Sequence, residues 1–218
     1  MPVAPASEPA PAPEPTSRAE RKERTRQAIL DAALELSSDR SFASVSLREV
    51  TRAVGIVPTA FYRHFASMEE LGVALADDTM RLLRSVLRDA RRNPGPSNAQ
   101  ASLTALLGQV RDHEAAFRFL ARERHGGHPE VARAFTVELR LLTRELAVDL
   151  ARIPQLAAWG ADDLEMAADL LVTSMFEVVL DLLAVEPGRA AETEVLTRGK
   201  KQMRLIMLGM AAWNPLHD

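Results

Sequence analysis

Within six positions, Thr59, Tyr62, Arg63 and His64 offer a hydroxyl, a phenol, a guanidinium and an imidazole on a segment that opens on Pro58. Every one of these groups can donate a hydrogen bond, and none needs a partner base to do its work. A guanidinium fork matches the two acceptors of a guanine edge in the major groove. Hydroxyl and imidazole groups serve phosphate oxygens equally well. The chemistry on offer is recognition of a nucleic acid, not bond breaking. A second set stands upstream: Arg18, Arg21, Lys22, Arg24 and Arg26, opposed only by Glu20 and Glu23. The overall formal charge of −3 hides this arrangement, because residues 18–92 hold 14 basic against 11 acidic side chains while the remainder is acidic. A basic element joined to an acidic body suits a chain that meets a polyanion through one part only.

Other chemistries lack their residues. The absence of cysteine removes disulfides, thiolate zinc sites and a cysteine nucleophile. None of the five histidines has a glutamate three positions before it, so a carboxylate-bridged metal oxidase in a helical bundle lacks its ligands. Phosphate-binding glycine loops and the G-x-S-x-G elbow are missing. His125 and His128 flank Gly126-Gly127 with Glu123 and Glu130 nearby, but this set is too thin for a metal centre. No enzyme, metal or resident cofactor is expected. With 218 residues, 47% hydrophobic and 26% charged, the composition is that of a soluble globular chain. No apolar run approaches the ~20 residues of a membrane span, and a cytoplasmic, nucleoid-associated location is expected.

The elements that must position these residues are helices. Residues 1–17 hold six of the thirteen prolines and read as a disordered tail. Capping boxes open helices at Ser17–Glu20, Ser46–Glu49 and Ser67–Glu70, and Gly55 ends the second helix in a sharp turn. Pro58 then occupies the first position of a very short helix, which Phe61 and Phe65 pin to a core. Two short helices about a glycine turn make a helix-turn-helix. A connecting helix follows over 67–92, then helices at 97–113, 114–124, 129–152, 161–184 and 189–213, with loops near 93–97, 126–129 and 186–188. The stretch 164–183 is apolar on nearly every face, and Met203, Ile206, Met207 and Met210 form one stripe of the last helix. A chain this small can hardly cover both, so Leu170, Val178 and Leu182 with that stripe are the expected subunit interface of a homodimer. Glu177 and Asp181 are expected at its rim. The fold class is all-α: residues 18–66 as a DNA-binding domain and 67–218 as a helical domain for an effector and dimerisation.

From Arg18 to Glu70 the chain resembles the TetR family of one-component transcriptional regulators. The carriers are the basic lead-in, Ala28-Ile-Leu-Asp-Ala-Ala33, Ser46-Leu-Arg-Glu-Val50, Ala53-Val-Gly55 and Phe61-Tyr-Arg-His-Phe65 followed by Glu69-Glu-Leu71. The chain departs from the family at Val57-Pro58, where a small or polar cap and often Lys are usual, and at Met68, where Lys commonly stands. Ser41-Phe-Ala-Ser44, Gly55 to Phe65, Glu70-Leu-Gly72 and Phe117-Arg-Phe-Leu-Ala-Arg-Glu-Arg124 look like the FabR- and DesT-type regulators of fatty-acid synthesis. The resemblance implies DNA contacts from Arg24, Arg26, Ser46, Arg48, Thr59, Tyr62, Arg63 and His64. It implies a double-stranded operator, probed by a homodimer, and a long-chain acyl-coenzyme A as effector. An apolar pocket built from Phe117, Leu120, Arg122, Phe135, Leu139, Leu171, Met175 and Phe176 is the expected effector site, and Arg118, Arg122 and Arg124 are candidates for the phosphates of an acyl carrier. A same-fold repressor of a drug or other apolar compound is the competing reading.

Overall fold

A computed structural model describes residues 17–91 and 106–213. The expected tail and the loop near 93–97 lie outside the described residues. The elements, in order, are α1 (Arg18–Leu36), α2 (Leu47–Val54), α3 (Pro58–Phe61), α4 (Met68–Arg91), α5 (described over 106–112), α6 (Glu114–Gly126), α7 (Pro129–Leu150), α8 (Ala161–Ala184) and α9 (Ala190–Ala212). No strand occurs among the described residues.

Local chemistry explains most boundaries. The Ser17 hydroxyl accepts from the Glu20 amide while the Glu20 carboxylate accepts from the Ser17 amide, so two orphan donors of α1 are satisfied reciprocally. The same box opens α2 at Ser46 and Glu49. At the third position it is altered: the Ser67 hydroxyl still accepts from the Glu70 amide, but the Glu70 carboxylate reaches back one residue further, to the Ala66 amide. Gly55 ends α2 at φ 73°, a left-handed backbone that an L side chain strains. Val57 stands at the N-cap of α3 and makes no side-chain cap, and Pro58 fills the first helical position.

One continuous core joins the ends of the molecule. Ile29, Leu30 and Ala33 of α1 meet Val50, Phe61, Phe65, Leu71 and Leu75, and the cluster runs on through Phe117, Phe119, Phe135, Val179 and Leu182. Helix α7 lies against α4, α6 and α8, and α9 packs on α8. A smaller cluster of Leu150, Leu156, Leu164, Ala167 and Ala168 closes the far end of α7 and α8.

Two features differ from expectation. Short 3-10 turns form at Phe42–Ser44 and Pro154–Leu156, where three-residue segments carry no readable period. Val178 and Leu182 are buried inside the chain, which corrects their assignment to a subunit interface. Helix α8 is apolar on most faces because α6, α7 and α9 of its own chain surround it. The apolar side chains left open on α8 and α9 are Met166, Leu170, Leu205 and Leu208, with Leu205 at 72% exposure. Met203, Ile206 and Met207 are half-buried, and Met210 packs against the small cluster. Asp181 bonds to Arg198 of α9, and Glu177 is exposed.

Candidate nucleic-acid interface and effector cavity

The short α3 is held by its apolar side and offers its polar side. Phe61 and Phe65 are buried with ring centroids 5.8 Å apart, and Phe61 meets Tyr62 edge-on at 5.6 Å. That leaves Thr59, Tyr62 and Arg63 exposed on one surface, Tyr62 by 56%. In residues 17–75 the only large hydrophobic side chains this exposed are Tyr62 and Val57, which flank α3 as its C-cap and N-cap residues. An exposed apolar side chain beside a guanidinium and hydroxyls suits a groove in which base edges and thymine methyls alternate.

His64 is half-buried, and its Nδ1 is buried with no hydrogen-bond partner in the structure. Its pKa lies below the usual 6.5, first because burial disfavours the charged ring, then because Lys22 and Arg26 repel a proton. The basic lead-in of α1 is therefore electrostatically part of the α3 surface. The Arg26 guanidinium stacks 4.9 Å from the Phe65 ring centroid, so its charge is fixed at the base of that surface rather than on a loose arm. Arg24, two positions earlier on α1, is exposed.

On α2, Arg48 is exposed and makes no ion pair among the described residues. Its neighbour Glu49 pairs instead with Arg40 at 2.8 Å. The Ser46 hydroxyl is committed to the cap: it accepts from the Glu49 amide and donates to the Glu49 carboxylate at 2.7 Å. Hydrogen bonds from Ser46 and Arg40 hold Glu49 at a pKa of about 2. Any contact from Ser46 to a phosphate must share that hydroxyl with the cap.

The residues expected at an effector site separate into three groups. Phe117, Leu120 and Phe135 are fully buried and packed, and line neither of the two cavities beside α7 and α8, which corrects their place in that ligand site: aromatic and leucine side chains of α6 and α7 fill the junction with α4. Leu171 faces the small cluster between α7 and α8. Leu139 and Phe176 do line a cavity of about 600 Å³ between α7 and α8, and Met175 borders a small void beside it. The cavity has an apolar floor of Leu139, Val172 and Phe176 and a charged wall of Arg124, Arg140, Arg144, Asp162, Glu165 and Asp169. Its volume lies within the ~300–1,000 Å³ usual for ligand sites.

The three arginines of α6 serve three purposes. Arg118 pairs with Glu114 one turn earlier at 2.6 Å. Arg122 donates to the carbonyls of Ser37 and Arg40 at 2.8 and 3.1 Å, and so grips the end of α1; this corrects its assignment to the effector site. Arg124 lies over the Phe176 ring at 4.4 Å and lines the cavity. Between them Glu123 is wholly buried. Its carboxylate accepts from the Ser41 hydroxyl at 3.0 Å, the Phe42 amide at 2.9 Å and the His128 amide at 3.1 Å. Phe42 completes the contact by meeting Phe119 edge-on with centroids 5.9 Å apart. Thus Ser41-Phe-Ala-Ser44 and Phe117 to Arg124, 80 residues apart in the chain, form one junction between the DNA-facing helices and the cavity. Its key acceptor, Glu123, does not stand out between two arginines; the available signal is its place three and four positions after Leu120 and Phe119, on the buried face of the helix.

His128 meets Glu69 at 3.4 Å, and no group of three or more His, Cys, Asp or Glu that could hold a metal ion occurs among the described residues. No helix among them is long and apolar enough to cross a membrane.

Comparison with known proteins agrees with this arrangement. Residues 29–75 match the bacterial regulatory proteins of the tetR family, and residues 96–211 match the tetracyclin repressor-like C-terminal domain. Among solved structures the fold is similar to Salmonella enterica GusR, with 23% identity, a TM-score of 0.64 and coverage of 87% of this chain and 96% of that one. It is also similar to the fatty acid degradation regulator FadR of Bacillus halodurans, with 13% identity, a TM-score of 0.67 and coverage of 85% and 95%. FadR of Bacillus subtilis in complex with stearoyl-CoA matches with 11% identity, a TM-score of 0.66 and coverage of 84% and 98%. With an outward-facing helix-turn-helix and both family matches spanning most of the chain, the protein is a member of the tetR family of bacterial transcriptional regulators, DNA-binding proteins rather than enzymes.

Proposed function

We propose that the chain acts as a homodimeric repressor of lipid-metabolism genes, binding a palindromic operator and answering to an effector with a long acyl chain. Two copies of α3 set one DNA turn apart, ~34 Å, would read symmetric half-sites. Arg63 reads a guanine, Thr59 and Tyr62 contact neighbouring edges, and His64, Arg24, Arg26 and Arg48 take phosphates. The open side chains of α8 and α9, Leu170, Leu205 and Leu208 with Met166, supply the surface through which the copies associate. The apolar floor of the cavity supports an acyl chain, and so does the likeness in fold to two regulators named for fatty acids. The likeness of residues 41–72 and 117–126 to fatty-acid-synthesis regulators brings in an acyl thioester as one form of that effector.

The observation that carries the reading is the run Arg122-Glu123-Arg124. Two of these side chains hold residues 37–42 beside the DNA-facing helices, and the next one forms the cavity wall. A ligand that moves α6 biases the separation of the recognition helices, which is the differential contact that a population shift requires.

The test is fluorescence anisotropy on a labelled palindrome from the gene's own upstream region, with palmitoyl- and oleoyl-coenzyme A and the matching acids. Tight, salt-dependent binding that an acyl ligand alters by tenfold or more is the expected result. Tight binding indifferent to all four would overturn the lipid role and leave the regulator. Absence of any specific site in genome-wide footprinting would overturn the operator reading itself.

A further inference from the structure

The charges around the cavity restrict the head group of its ligand. The three arginines of α6 that sequence alone offers to a polyphosphate carrier do not converge. Arg118 is neutralised by Glu114, and Arg122 is committed to the Ser37 and Arg40 carbonyls. Only Arg124 reaches the cavity. Its guanidinium is held over the Phe176 ring at 4.4 Å and makes no ion pair among the described residues. Stacking on a ring leaves the N–H fork of a guanidinium available in its own plane.

The remaining wall carries two cations against three carboxylates. Arg140 and Arg144 of α7 face Asp162, Glu165 and Asp169 of α8, with Arg144 and Glu165 3.9 Å apart. A ligand with several phosphates would bring its charges against three carboxylates with no surplus of cations to receive them, and like-charge juxtaposition is costly. A single carboxylate is matched by the guanidinium of Arg124, through two parallel N–H···O bonds. Below Arg124 the floor is apolar, made by Leu139, Val172 and Phe176.

We propose that the effector is a single-chain amphiphile ending in one free carboxylate, which Arg124 receives while the chain lies along Leu139, Val172 and Phe176. This rests on the acyl-responsive reading above and names its head group: the acid, not the coenzyme A thioester. Because Arg124 follows directly on the pair that grips residues 37–42, the head group engages the helix that holds the DNA-facing domain.

The experiment measures Kd by isothermal titration and thermal shift for dodecanoate, dodecan-1-ol and dodecanoyl-coenzyme A, each below its micellar concentration, on the full chain. Dodecanoate is expected to bind at least tenfold tighter than the alcohol and the thioester. Arg124→Gln should erase the preference for acid over alcohol while the alcohol's Kd stays within twofold, and Arg124→Lys should restore part of it. Circular dichroism and operator affinity report whether each variant is folded, and the wild-type ranking stands without them. A thioester that binds tighter than the acid overturns the head-group assignment and keeps the lipid reading. Equal binding of acid and alcohol, or an acid preference that survives in folded Arg124→Gln, overturns the role of Arg124. If none of the three binds to protein that still binds operator, the lipid reading falls and this proposal with it.

Discussion

Replacing Glu123 tests the junction most directly. Both carboxylate oxygens are used: one accepts from the Ser41 hydroxyl and the Phe42 amide, the other from the His128 amide. In Glu123→Ala the Ser41 hydroxyl can turn to another acceptor, but the Phe42 amide loses its acceptor in a buried position and the His128 amide in a half-buried one. A buried donor left without a partner costs ~1–3 kcal/mol, which the Phe42 amide meets in full and the half-buried His128 amide in part, for a loss of about 2–4 kcal/mol. For a chain of this length ~1 kcal/mol corresponds to about 2–4 °C in Tm, so a fall of roughly 4 °C or more is expected by calorimetry. Glu123→Gln keeps one oxygen for Ser41 and Phe42 but turns an NH2 toward the His128 amide, and should lose less. Gly127 offers an internal control. A Cβ there would stand 1.5 Å from a Glu123 oxygen, so Gly127→Ala is expected to displace that carboxylate. With the carboxylate gone the methyl has room, and the double variant should lose clearly less than the sum of the singles. A Tm change under about 2 °C in Glu123→Ala, or strictly additive losses in the cycle, would refute the assignment of Glu123 as the buried acceptor of this junction.

Three further outcomes follow from the same geometry. Arg63→Ala should weaken operator binding by ~1–3 kcal/mol and relax preference at one base pair in a competition binding assay; an equal loss on operator and scrambled DNA would remove its base-reading role. His64 has a pKa held below 6.5 by burial and by Lys22 and Arg26, so the free protein carries it neutral near neutral pH. A phosphate beside it would raise that pKa, and binding would then take up a proton, so operator affinity should strengthen as pH falls from 7.5 toward 5.5. A His64→Gln variant should lose that dependence, and an identical pH profile in the variant would place His64 away from the phosphate. Leu205→Glu combined with Leu208→Glu should turn the proposed dimer into a monomer in sedimentation velocity and reduce operator affinity more than tenfold; a persisting dimer would move the interface off α9.

What is legible in the residues alone is local. Helix starts at Ser17 and Ser46, the stop at Gly55 and the entry at Pro58 rest on hydrogen bonds and dihedrals that span four residues or fewer, so the helix-turn-helix and its outward Thr59, Tyr62 and Arg63 can be read without the fold. Helices α7 to α9 make no side-chain caps, but they fall within two residues of their expected bounds because Pro129, Gly160 and Gly188 mark their starts locally. Burial and partnership are decided at long range. Val178 and Leu182 look like interface residues because their helix is apolar on most faces, and only the packing of α6, α7 and α9 around α8 shows that one chain covers them. Arg118, Arg122 and Arg124 are equivalent in a sequence, four and two positions apart on one helix. Glu114, the Ser37 and Arg40 carbonyls and the Phe176 ring separate them, and two of those three partners come from parts of the chain more than fifty residues away. A side chain's type follows from the sequence, but its environment, and with it its role, follows from which distant segment the fold sets against it.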